Sequence, residues 1–313
     1  MNKRDLVLSL LDSDREPAYI PAAFFLHFDP QYHQGQAAVK KHLEYFRYTG
    51  MDFVKIQYEN VFPSIPEIRK PADWANMPFY QPAFYADQVE IARGLVEAAG
   101  KEALVLMTLY SPFMCAGHTV GKEVLTKHLT DDPEKVKKGL EIITDSLMIF
   151  VKDCIAAGVD GFYHSTQGGE TSRFEGSPIF DRYIKPFDLA LMNEIERSCR
   201  FNILHVCDYV DGYTDLTPFL DYPGHIVNCS LKLGSETITG EDVSRLFGRP
   251  FMGGLDRHGI ITSGSDAEIK AAVDHICGEA PKSFILGADC TLPGDLDWQR
   301  IKIAIDTAHS ITR

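Results

Sequence analysis

In the run ILHVCDYV, His205 and Cys207 stand two residues apart at the end of an apolar, β-rich stretch. Side chains at i and i+2 of a strand point to the same face, so this spacing brings an imidazole and a thiol to one place. Such a pair does not hold a metal alone; a third ligand has to come from elsewhere. Cys290, in FILGADCTLP, follows another strand-like run and supplies it. Two thiolates and one imidazole form the donor set of a catalytic zinc site, with a fourth position for water or substrate. Soft sulfur ligands favour zinc over magnesium or manganese. The plain alternative is packing, because H-x-C pairs arise by chance and free cysteine is among the most buried residue types.

Whether the three side chains can meet depends on the elements that carry them. Strand-like runs fall at residues 19–25, 53–57, 103–109, 161–164, 202–206, 225–229, 250–252 and 283–286, and helical periodicity lies between nearly every pair. After Asp132, Pro133 suits a first helical position, and Val136, Leu140, Ile143, Leu147 and Cys154 recur at helical spacing. Ser265 and Glu268 form a capping box ahead of Ile269, Ala272, Val273, Ile276 and Cys277, with Gly278 as the stop. Eight short strands alternating with helices predict an α/β fold, a single (β/α)8 TIM-type barrel spanning residues 1–313 as one domain. A doubly wound sheet is the competitor, but no glycine-rich dinucleotide fingerprint follows the first strand.

A barrel of this kind gathers its chemistry at the C-terminal ends of its strands. The residues there include Lys55 and Gln57, Tyr110, His164 and Gln167, the His205–Cys207–Asp208 group, Cys229, Asp256 and His258, and Asp289 with Cys290. Tyr110, His164, Gln167, Cys229 and His258 are thereby candidate substrate contacts, each weighed against being an ordinary loop or packing residue. Cys154, Cys199 and Cys277 fall in helical patterns and read as packing, as His118, His225 and His275 read as scaffold. The proline-rich tract ENVFPSIPEIRKPADWANMPFYQP is expected to be an excursion that covers the mouth of the barrel.

Composition is that of a globular protein, 45% hydrophobic and 24% charged, with a formal charge of −13. That charge and the lack of a basic patch argue against nucleic-acid partners. No run reaches membrane-spanning length and the N-terminus does not read as a signal peptide, which points to the cytoplasm. Seven irregularly spaced cysteines do not make a disulfide framework.

The segments KRDLVLSLLDSDREPAYIP, LYSPFMCAGH, AGVDGFYHS, FDRYIKPFDLALMNEI, ILHVCD, FMGGLDRHGI and FILGADCTLP occur in the order seen in the uroporphyrinogen decarboxylase superfamily. Within it, the H-x-C…C pattern resembles the zinc-dependent methylcobalamin:coenzyme M methyltransferases and related corrinoid methyltransferases. The resemblance implies zinc held by His205, Cys207 and Cys290. It also implies a methylcorrinoid (methylcobalamin type) as methyl donor, carried by a partner corrinoid protein, and a small-molecule thiol as acceptor. Asp208 and Asp289 are then candidate catalytic groups that hold the free nitrogen of His205 or a coordinated group.

Three features depart from the pattern. Asp208 stands where relatives commonly show glycine. The sixth strand offers Asn228, Cys229 and Ser230 where relatives have an acid, so Cys229 is either a third thiolate or a packed strand residue. The decarboxylase branch carries an R-Q-A-G-R stretch after its first strand, whereas this chain reads FFLHFDPQYHQG and has no arginine between Arg15 and Arg47. Lys232 and Arg257 are left to receive an anionic tail on the thiol. Two other readings compete: a metal-free decarboxylase-like lyase acting on a small carboxylated substrate, and a degenerate barrel that only binds.

Overall fold

The structure, a computed structural model, describes residues 2–12, 17–174 and 176–311. Its centre is a curled parallel sheet built from β1 (Phe53–Ile56), β2 (Leu104–Tyr110), β3 (Gly161–Thr166), β4 (Ile203–Val206), β5 (Ile226–Cys229), β8 (Phe251–Leu255) and β9 (Phe284–Ala288), hydrogen-bonded in that order. A small antiparallel hairpin, β6 (Lys232–Leu233) with β7 (Glu236–Thr237), lies outside it. The sheet strands are almost wholly buried, as runs covered on both faces should be.

Seven of the eight expected strands form; the run at 19–25 does not. Pro17 and Pro21 have no N–H to give a ladder, and Asp52 takes the place of a neighbouring backbone carbonyl. Its carboxylate accepts the Ala22 N–H at 2.8 Å, while Asp52 N donates to Ala22 O at 3.0 Å. On the other side, Ala23 N donates to Leu286 O and Leu286 N to Pro21 O. This extended segment therefore bonds to both edges of the seven-stranded sheet without itself being a regular strand.

The helices follow the sequence pattern closely. Pro133–Ala156 is capped by Asp132, whose side chain accepts the Lys135 N–H, and it buries Val136, Leu140, Ile143, Leu147 and Cys154. The capping box of Ser265 and Glu268 opens Asp266–Glu279, which runs through Gly278 rather than stopping before it. Cys199 lies just past the end of Lys185–Ser198 in extended backbone. Gly254, at φ +107° within β8, has to be glycine because a Cβ there would strike Ile276 of the covering helix. Among the described residues no helix is long and apolar enough to cross a membrane.

Candidate metal centre

Strand register decides which side chains face the interior. His205 lies opposite Ser165 of β3 and Asn228 of β5, and Val206 lies opposite Thr166 and Cys229. Neighbours in register share a face, so His205, Ser165 and Asn228 point inward. Asn228 confirms this by donating to Met252 O and Ala288 O across the interior and accepting the Tyr163 hydroxyl. Cys207 follows β4 on the inward side, and Cys290 follows β9.

The ligand atoms of His205, Cys207 and Cys290 all lie within 4.8 Å of one another, and all three residues are buried. The two sulfurs are 3.9 Å apart. Two thiolates on one tetrahedral zinc, each at about 2.3 Å, stand about 3.8 Å apart, so the separation fits the ion. His205 bonds Cys207 through its ring, and its Nδ1 is buried without a hydrogen-bond partner. The thiols differ in acidity. Cys207 is held well below the ordinary range by the hydrogen bond from Cys290, against the cost of burial and with help from His205; Cys290 is pushed well above it by the same bond and by burial. One proton is easily lost from the pair and the second is not.

The surroundings fix these groups in place. Cys207 N donates to Thr166 O at 3.0 Å, and Gln167 Nε2 donates to Cys207 Sγ at 3.4 Å. The Tyr163 ring lies 5.0 Å from that of His205. Asp289 accepts from Cys290 N at 3.0 Å and Arg257 N at 2.7 Å, and its other oxygen meets the Arg257 guanidinium at 2.9 Å. Asp208 meets the same guanidinium at 2.6 Å. Of the two roles expected for Asp208 and Asp289, holding the free nitrogen of His205 is not what the structure shows, since both bind Arg257; holding a coordinated group is untouched by it. Burial, opposed by Arg257, leaves the Asp289 carboxyl raised. Arg257 and Lys232 are correspondingly poor seats for an anionic tail, since Lys232 is ion-paired to Asp256 at 2.5 Å.

The three ligands open onto a cavity of about 560 Å³ whose wall includes Tyr110, Gln167 and His258. Two other expected contacts lie elsewhere. His164 sits in register with Leu204, on the outward face, buried with neither ring nitrogen partnered and its pKa lowered to about 3 by desolvation. Cys229 shares the outward face with Val206, takes no part in the cluster, and has its thiol pKa raised by burial. Its place is that of the packed strand residue, the other of the two readings.

Sequence reasoning placed Lys55 at a strand end without a role, and it missed other wall residues. Lys55, inward on β1, places its ammonium 4.5 Å from the Phe25 ring centre and 4.7 Å from that of Tyr163 and donates to Gln57. Burial lowers its pKa to about 7, partly offset by Cys290, Glu59 and Cys207. His118, read as scaffold, lines the cavity with a buried Nδ1 that has no partner. Arg173, in the short helix Thr171–Phe174, also lines it. Alternation on β1 gives Lys55 its inward face; nothing local could have flagged Arg173. The proline-rich tract does reach the cavity through Val61, and Ile65 N donates to Thr119 O.

The family model described as uroporphyrinogen decarboxylase (URO-D) matches residues 47–311. A methyltransferase from Methanosarcina mazei shares the fold at a TM-score of 0.78 and 13% identity, over 98% of each chain. A B12-independent methionine synthase from Shewanella sp. W3-18-1, in complex with selenomethionine, is similar at 0.58 and 12% identity, covering 93% of this chain and 97% of that one. At these identities the likeness is one of fold. No curated protein matches the sequence.

Proposed function

The chain belongs to the uroporphyrinogen decarboxylase family, and within it we propose a zinc-dependent methyltransferase that moves a methyl group from a methylcorrinoid, borne by a partner protein, to a small-molecule thiol. The observation that carries the reading is the buried cluster of His205, Cys207 and Cys290. Its position at the C-terminal ends of parallel strands is where barrels of this class hold their active sites. We read the curled sheet as such a (β/α)8 barrel, with the segment around Ala22 standing as its eighth stave. The methyltransferase and methionine synthase with the same fold support methyl transfer as the class of reaction.

His205, Cys207 and Cys290 would hold the metal. Zinc bound there supplies a thiolate from the acceptor at neutral pH and a fixed place for its sulfur. The chain's own residues do the rest. Gln167 donates to Cys207 and damps its nucleophilicity, so that the protein's sulfur does not compete with the acceptor's. Asp289 fixes the backbone of Cys290 and, with Asp208, pins Arg257 beside it; both acids act in this reading as positioning residues. Lys55 stands inward in the same buried space, its amine against the Phe25 and Tyr163 rings. Tyr163 and Asn228 back the imidazole from inside.

A metal-free lyase remains the second reading, favoured by one observation: cations in the cavity wall also suit a carboxylated substrate. Elemental analysis of chelator-free, untagged protein beside a Cys290→Ala variant separates the two. The expected result is about one zinc per chain, lost in the variant. Protein that carries no zinc and takes none up under reducing conditions leaves the lyase as the better reading.

A further inference from the structure

Acids outnumber lysine and arginine 44 to 31 in this chain, yet among the described residues those lining the cavity include Lys55, Lys122, Arg173 and Arg257 and no aspartate or glutamate. A wall so composed selects a ligand of negative charge. Three of the four cations are already engaged. Lys55 is spent on Gln57 and two aromatic rings, Lys122 lies over the exposed ring of Tyr209, and Arg257 carries two carboxylates.

Arg173 is different. Its side chain is 7% exposed, its guanidinium lies 5.1 Å from the centre of the Phe113 ring, and its Nη2 is buried with no hydrogen-bond partner. Its ion-pair partner, the fully buried Glu170, approaches Nε only to 3.8 Å; one Glu170 oxygen is bonded to Gly168 N at 2.6 Å and the other accepts no hydrogen bond. The exposed Asp211 is within its electrostatic reach. A guanidinium flanked by a carboxylate and a ring, on a residue that lines the cavity and with one buried donor unsatisfied, matches an oxyanion in a fixed orientation.

We propose that Arg173 receives a carboxylate of the substrate, so that the methyl acceptor is a small carboxylate-bearing thiol. The thiol half rests on the function proposed above; the carboxylate half does not. The test therefore starts without zinc. Propionate and its neutral isostere propionamide are titrated calorimetrically into the metal-free full chain at constant ionic strength. The same titrations are made on Arg173→Lys and on the double variant Glu170→Gln/Arg173→Met, which leaves no buried charge unpaired. Propionate is expected to bind more tightly than propionamide, and the double variant to lose about tenfold or more of that affinity, with Arg173→Lys between. Equal binding of the two probes, or propionate binding unchanged in a double variant that melts as the parent does, overturns the proposal.

The zinc-loaded chain is then offered 3-mercaptopropionate, 2-mercaptoethanol and cysteamine with free methylcobalamin. Preference for the carboxylated thiol, abolished in the double variant, completes the assignment. Methylation of all three thiols at equal rates overturns it. Should no thiol be methylated, the methyltransferase reading falls, and the propionate result still decides what Arg173 does.

Discussion

Asn228 and Cys229 adjoin in the chain and face opposite sides of the sheet, so only one of them can serve the interior. The interior position goes to the amide, which makes three bonds there. The thiol is packed outside, where a neutral, buried sulfur is worth only its contacts. If the chain binds zinc as proposed, Cys229→Ala is expected to keep the parent's zinc content while losing about 1–2 kcal/mol of stability in urea denaturation. Zinc loss in that variant would mean that Cys229 reaches the metal after all. The same alternation explains what could be read from residue order alone. His205 and Cys207 are placed by a period of two, and Cys290 by following a strand, whereas the place of His164 at a strand end does not fix which face it shares. Arg173 had no such marker: Glu170 lies three residues before it, but Phe113 becomes its neighbour only after β2 and β3 are laid side by side.

At the scale of elements, the seam beside β1 depends on one carboxylate. Asp52 is fully buried and accepts the Tyr19 hydroxyl and the Ala22 N–H, both at 2.8 Å. It also meets His309 Nε2 at 2.8 Å and the Lys3 ammonium at 3.4 Å. The first helix, the extended segment and the last helix are joined there. Burial opposes its ionisation, but His309, Lys3 and the Ala22 N–H prevail and hold its pKa below the ordinary 3.8. A lowered folded-state value means that this contribution is full above about pH 4 and is lost as the pH falls through the folded value. Asp52→Asn is expected to cost about 2–4 kcal/mol at pH 7 and to flatten the acid limb of stability below pH 4, measured by urea melts at several pH values. An unchanged acid limb would assign acid lability elsewhere. Here sequence pattern reached its limit for a physical reason. Apolar content marked residues 19–25 as a strand, and a side chain 30 positions away from Ala22 does the bonding that a ladder would otherwise do.

Whether the chain behaves as one domain over its whole length is a question for the whole molecule, and its two tryptophans stand in the right places to answer it. Trp74 is buried in the proline-rich excursion, donating to His128 Nδ1 at 3.1 Å and pressed on Gly139 of Pro133–Ala156. Trp298 opens the last helix, with Tyr45 at 4.9 Å and the Lys41 ammonium 4.3 Å from its ring centre, beside the segment that joins the sheet edges. One reports on the covering of the cavity and the other on the seam. The buried apolar side chains form a single continuous cluster through both regions, so neither can lose its packing without exposing the other's. Fluorescence melts of Trp74→Phe and Trp298→Phe, each leaving one reporter, are expected to share the shape of the far-ultraviolet dichroism melt of the same variant. A Trp298 signal that changes well before the helices do would show that the seam opens first. The molecule would then be a seven-stranded half-barrel with a detachable edge, and the eighth stave would be a means of access to the metal centre rather than part of the frame.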